Sequence, residues 1–207
     1  MRLKIDIPRD NSVSVLYTSD MHIYHSNILK YDPRDFNNVD EMHLAIETRW
    51  NEVVRPKDIV IYLGDLMFVK KESEINYVRE MLGRLNGEIH FVMGNHDKYE
   101  QIKHLNRFKT ISDYLEVVIS RHTSASNDKE ETLFCCSHYP MLTWNKSHRG
   151  SICIHGHDHM ALSDKEFHKT HRIFDVGCMG YNYYPVDYKD IITLANKIDY
   201  KLTNLHH

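Results

Sequence analysis

Apolar and polar positions along this chain alternate between short apolar runs and longer amphipathic stretches. Five runs stand out: VSVLYT at 13–18, DIVIYL at 58–63, EIHFVM at 88–93, TLFCC at 132–136 and SICI at 151–154. Each is brief, rich in Val, Ile, Leu or aromatics, and followed at once by polar residues or Gly. That pattern predicts strands buried on both faces. Between the first three runs the period changes. In residues 38–54, Met42, Ile46, Trp50 and Val53 recur at helical spacing, with Asn38 or Asp40 placed to cap the start and Pro56 just beyond the end. Residues 71–85 repeat this with Ile75, Val78, Met81, Leu82 and Leu85, closing at Asn86-Gly87. Strands separated by helices predict βαβ units and an α/β core. After about residue 110 the helical patterns thin out. There YLEVVIS and TLFCC flank residues 121–131 (RHTSASNDKEE), which read as a surface loop joining two strands. The expectation is one domain, 1–207, layered α/β/α or α+β, with the Tyr-rich residues 175–191 as a covering loop over the sheet.

The polar residues that end the runs carry the chemistry. The first run leads into Asp20-Met21-His22, the second into Gly64-Asp65, and the third into Gly94-Asn95-His96-Asp97. The fourth leads into His138, and the fifth into His155-Gly156-His157-Asp158-His159. In an α/β sheet the carboxyl ends of the strands are where ligands bind, so residues distant in sequence are expected to converge on one crevice. Carboxylates, an amide carbonyl and imidazoles are O/N donors suited to Mn, Fe, Zn or Ni rather than to a soft thiolate site. Asp20, His22, Asp65, Asn95, His138, His157 and His159 make seven donors, more than one tetrahedral zinc uses. The set suits two metals sharing a bridging carboxylate. Gly156 marks the end of the fifth strand, so His155 is expected to close that strand as a packing residue or a support for the ligands.

Composition narrows the partners. The net charge is -3, which gives no electrostatic footprint for a stable nucleic-acid partner or an anionic membrane. No apolar run approaches the length of a membrane span. The N-terminal residues lack the long apolar stretch of a secretory signal. The four cysteines form no CxxC pair, so a disulfide framework is not expected and a reducing compartment fits better. His206-His207 are either native or the remnant of a tag and stay outside the site.

The motifs D-x-H, G-D, G-N-H-D, a lone His and G-H-x-H, in that order and each after a strand-like run, resemble those of the calcineurin-like metallophosphoesterases. They span residues 20 to 159. HIYHSNILKYDPRDF, HYPMLTW and GSICIHGHDH further resemble a compact phage and bacterial branch of that family. The resemblance implies a four-layer α/β/β/α sandwich. It also implies hydrolysis of a phosphoester by a hydroxide between two divalent metal ions, manganese first, with Fe, Zn or Ni as alternatives. One metal would be held by Asp20, His22 and His159, the other by Asn95, His138 and His157, with Asp65 bridging. His96 would act at the leaving oxygen as general acid or charge stabiliser, oriented by Asp97.

Other residues are open to two readings. Arg34 is a candidate phosphate clamp or a member of a surface ion pair, in a loop where Asp35 replaces the proline usual in the branch. His25 and Asn27 are candidate substrate contacts, and Arg149 is a candidate anion contact or a solvated loop residue. Tyr139 and Trp144 pack the loop after His138 or stack on a base. His43 and His104 read as surface or interface residues on helices. A phosphodiester, a nucleotide or cyclic nucleotide among them, is the favoured substrate class. A phosphomonoesterase, a nuclease and a non-catalytic scaffold are the alternatives. The expected setting is the cytoplasm of a bacterium or of a phage-infected cell, and oligomeric state is left open.

Overall fold

A computed structural model describes residues 1–32, 34–122 and 129–198. Among the described residues, ten strands form two five-stranded sheets. The first has the order β10-β2-β3-β4-β5, built from β10 (Val186–Asp187), β2 (Val15–Thr18), β3 (Ile59–Tyr62), β4 (Glu88–Val92) and β5 (Phe108–Ser112). The second has the order β1-β6-β7-β8-β9, built from β1 (Arg2–Asp6), β6 (Tyr114–His122), β7 (Lys129–Ser137), β8 (Ile152–His155) and β9 (Ile173–Asp175). The helices are α1 (Ile28–Tyr31), α2 (Val39–Val53), α3 (Glu72–Arg84), α4 (Tyr99–His104), α5 (Glu166–Thr170) and α6 (Tyr188–Ala195). The result is an α/β architecture of two mixed sheets flanked by helices.

The continuous apolar runs have a direct cause, because alternate side chains on a strand enter different cores. Leu16, Val60, Tyr62, Ile89 and Phe91 face a core filled by Met42, Ile46 and Trp50 of α2 and by Val78, Met81 and Leu82 of α3. Val15, Tyr17, Ile61, Leu63 and Val92 face the space between the sheets. There they meet Leu115, Val117, Ile119, Phe134, Cys136, Ile152 and Ile154, with Tyr17 and Phe134 rings 5.3 Å apart. Helix starts follow their local signals. Asn38 Oδ1 accepts the Glu41 N–H to cap α2, and the Glu74 carboxylate accepts the Lys71 N–H at the start of α3. Trp50 Nε1 donates to Asn86 O, tying α2 to the turn that ends α3.

Strands β2, β3 and β4 run parallel, as do β7 and β8, so the motif-bearing loops of each set leave the same edge. Two readings of the sequence are corrected. Arg121, His122 and residues 129–131 belong to an antiparallel ladder rather than a loop, with Arg121 paired to Glu130 across it. Opposite charges facing each other on an exposed ladder look like loop composition when read along the chain. The rest of that expected loop, 123–128, lies outside the described residues, as do His206-His207. Residues 175–191 hold the end of β9, a 3₁₀ turn at Cys178–Tyr181, β10 and the start of α6 rather than a plain covering loop. All four cysteines are buried and free. No helix among the described residues is long and apolar enough to cross a membrane.

Candidate metal centre

The turns after the strands adopt uncommon backbone conformations. Asp20 (φ 59°), His22 (51°), Asp65 (56°), His157 (73°) and His159 (50°) all lie in the left-handed region. Asp and His tolerate this better than most residues, but each such position still costs on the order of 1 kcal/mol. Hydrogen bonds between the turns hold them there: Asp20 N–H donates to Gly64 O and His22 N–H to Asp65 O. Two motif glycines are needed for close approach. A Cβ at Gly94 would collide with Asp65 Oδ1, and one at Gly156 with Asp20 Oδ2.

These turns bring all seven expected donor residues together. His22 Nε2 and His159 Nε2 are 3.1 Å apart, and Asp20 Oδ1 lies 3.8 Å from the first and 3.5 Å from the second. On the other side, Asn95 Oδ1 is 2.9 Å from His138 Nε2 and 3.0 Å from His157 Nδ1. Asp65 Oδ2 stands between the two groups, 3.7 Å from His22 Nε2 and 3.5 Å from His138 Nε2. Ligands about 2.1 Å from one ion stand roughly 3–3.5 Å apart, so the spacing fits shared cations. Asp20 Oδ1 and His22 Nδ1 are buried without a hydrogen-bond partner among the described residues. Burying a carboxylate oxygen unpaired is costly unless a cation meets it. The donor set therefore fits two divalent ions better than it fits a closed protein network.

The carboxylates of the site favour positive charge around them. Burial would raise the Asp65 carboxyl, but the His138 hydrogen bond and charge outweigh it and hold its pKa at about 2. Burial lowers His22 to about 3, leaving its ring neutral and free to bind a cation. His159 also loses by burial, yet the Asp20 and Asp32 carboxylates outweigh that and raise it to about 9. His138 is likewise raised, because Asp65 overrides desolvation.

The His96 N–H donates to Asp65 Oδ1, and its ring, 40% exposed, sits over the centre with Nε2 3.9 Å from Asp65 Oδ2. Asp97 accepts three backbone N–H groups, from Asp65, Leu66 and Gly94, so it fixes the turns rather than contacting the His96 ring. His25 stacks on Phe68 at 4.7 Å, beside His22 and His96. Asn27 is exposed and starts α1, with no contact to the donors among the described hydrogen bonds. Tyr139 is half-exposed, with its ring edge-on to His157 at 4.5 Å. Trp144 Nε1 donates to Ser151 O within its own loop. Arg149 is exposed and lines a groove with Arg2 and Lys4 that includes none of the donors. His104 is exposed on α4.

Two expectations are overturned by burial. Arg34 is neither an open clamp nor a surface ion pair: it is 4% exposed and donates to Asp20 O, Met21 O and Asp32 Oδ2. His43 is fully buried rather than on the surface, and accepts the Tyr24 N–H. His155 is also fully buried, pairing with Asp158 and with His168 Nε2 behind the G-H-x-H turn. Asp175, beside it, accepts the Met160 and Gly177 N–H groups and braces the same turn. Asp32, absent from the expected set, contacts His159; its only sequence signal is its place two residues before Arg34.

The sequence model of a family described as calcineurin-like phosphoesterase matches residues 13–202. An uncharacterised protein of Methanocaldococcus jannaschii, MJ1445, is 35% identical over 181 residues, covering 86% of this chain and 89% of its own. The gene 66 protein of Mycobacterium phage D29 is 28% identical over 165 residues, 72% of this chain and 80% of its own. The crystal structure of AQ665 from Aquifex aeolicus, a protein of unknown function, superposes with a TM-score of 0.61 at 23% identity. That match covers 88% of this chain and all of the other, and it speaks for the fold.

Proposed function

This chain belongs to the calcineurin-like phosphoesterase family, and we propose that it is a dinuclear metal-dependent hydrolase of phosphodiesters. The observation that carries this reading is the convergence of Asp20, His22 and His159 on one side of Asp65, and of Asn95, His138 and His157 on the other, with Asp20 Oδ1 buried and unpaired among the described residues. Manganese is the first choice of metal, with iron, zinc or nickel as alternatives for the same O/N donors. When bound, such ions supply an activated water and neutralise charge on the phosphoryl oxygens.

The chain's own residues supply the rest. Asp65 gives one carboxylate oxygen to the His96 N–H and so directs the other toward both histidine groups. His96, solvent-accessible and outside the donor set, is placed to give a proton to the leaving oxygen or stabilise its charge. Asp97 holds the turn carrying His96 against the turn carrying Asp65. Phe68 with His25 on one flank, and Tyr139 on the other, give the rim flat apolar surfaces that suit a nucleotide or cyclic nucleotide. The net charge of -3 supports a small substrate over a tightly held polymer. The four free cysteines suit the cytoplasm of a bacterial or phage-infected cell.

His96→Ala, compared with wild type on bis-p-nitrophenyl phosphate after loading with Mn, Ni or Zn, tests the reading. The variant should keep its metal content and lose about 10²–10⁴ in kcat. Equal turnover by the two proteins would remove His96 from the chemistry. Rates on a panel of monoesters, diesters, cyclic nucleotides and single-stranded DNA decide the substrate class, with the fastest expected on a small diester.

A further inference from the structure

One buried ion pair beneath the centre has no part in the scheme above. Asp32 and Arg34 sit in the loop between α1 and α2, yet they are only 5% and 4% exposed. Asp32 Oδ2 lies 3.2 Å from His159 Nδ1 and 3.0 Å from Arg34 Nε. The two terminal nitrogens of Arg34 donate to Met21 O at 2.9 Å and Asp20 O at 2.7 Å, inside the D-x-H turn, and the Tyr183 ring covers the guanidinium from 5.9 Å. Burying two charges gains little stability, because desolvation offsets their attraction. A planar fork that reaches two carbonyls and a carboxylate at once is instead a device for fixing positions.

We propose that Asp32 is a positioning residue for His159, and that Arg34 locks it to the turn carrying Asp20 and His22. The Asp32 carboxylate accepts the Nδ1–H of His159 and so fixes the tautomer that leaves Nε2 for a divalent transition-metal ion. The pair therefore ties the first motif of the sequence to the last, which are 137 residues apart at His22 and His159. The other half of the centre has a different support. His138 Nδ1 donates to the neutral carbonyl of Leu63 at 2.7 Å, and His157 turns its Nδ1 to Asn95. Loss of Asp32 should thus weaken one ion and spare the other.

This inference rests on the dinuclear reading, and a titration of the metal-free chain with Co²⁺, followed by visible absorption and by metal counting, tests the two separately. Wild type should take up two ions per chain. Asp32→Asn should weaken, by about 10–100-fold, the binding event that His159→Ala removes, and leave at wild-type affinity the event that His157→Ala removes. Unchanged binding of both ions by Asp32→Asn overturns the assignment. Equal weakening of both overturns it too, since that is what a merely structural ion pair gives. If Asp32→Asn does not fold, Arg34→Lys, which keeps the charge but not the fork, is judged by the same outcomes. Failure of wild type to bind two ions would instead overturn the dinuclear reading itself.

Discussion

His43 is fully buried on α2, where its Nε2 accepts the Tyr24 N–H at 3.0 Å and its Nδ1 has no hydrogen-bond partner among the described residues. Burial lowers its pKa to about 4, against a weak opposing pull from Asp40. Between about pH 4 and 6.5 the unfolded chain therefore binds a proton at this position that the native chain does not, so stability falls as pH drops through that window. His43→Gln keeps an acceptor for Tyr24 and cannot titrate. Denaturant unfolding at pH 7 and pH 4.5 should show the variant losing less stability than wild type, by up to about 3 kcal/mol. An equal loss in both proteins would mean that His43 is not held neutral. His43 was hidden in the sequence because a histidine on a polar helix looks exposed until its neighbours are known. The roles of Arg34 and Asp32 are hidden in the sequence for the same reason, since their partners Asp20, Met21 and His159 come from other loops. The convergence of the seven candidate donors is legible because each lies within a few residues of the end of an apolar run, at a strand's carboxyl edge.

Among the elements, the five buried strands and the two long helices were legible from period and composition alone. Strands β1, β5, β9 and β10 were not, because each is short or mixed in polarity and has meaning only beside its partner. Glycine shows how the same residue differs between elements. Gly83 is exposed inside α3, with nothing within 4 Å of an added Cβ. Gly83→Ala should stabilise the chain by about 0.5–1 kcal/mol through helix propensity alone. Gly156 ends β8 against Asp20 and Ser19. Gly156→Ala should cost at least about 1–3 kcal/mol from overpacking and displace a donor. Thermal unfolding of both variants, with metal content measured alongside, checks the contrast. A neutral Gly156→Ala that keeps its metal would show that the approach of the two turns is not tight.

On the scale of the whole molecule, the two sheets gather five loops at one edge. The first sheet carries Asp20, His22, Asp65 and Asn95 there, and the second carries His138, His157 and His159. Neither sheet holds a complete donor set, so the centre forms only when the inter-sheet core around Tyr17 and Phe134 closes. Layering of this kind is not visible in local periodicity; it followed from the resemblance of the ordered motifs to a known family. The central claim, that these donors hold two ions that make the chain a phosphodiester hydrolase, is tested most directly by stepwise metal addition. The chelated protein is given Mn²⁺, Ni²⁺ or Zn²⁺ while bis-p-nitrophenyl phosphate turnover and bound metal are followed together. Turnover should be absent after chelation, return with metal and saturate at two ions per chain. Turnover that survives chelation, or none with any of these ions at two per chain, contradicts the claim.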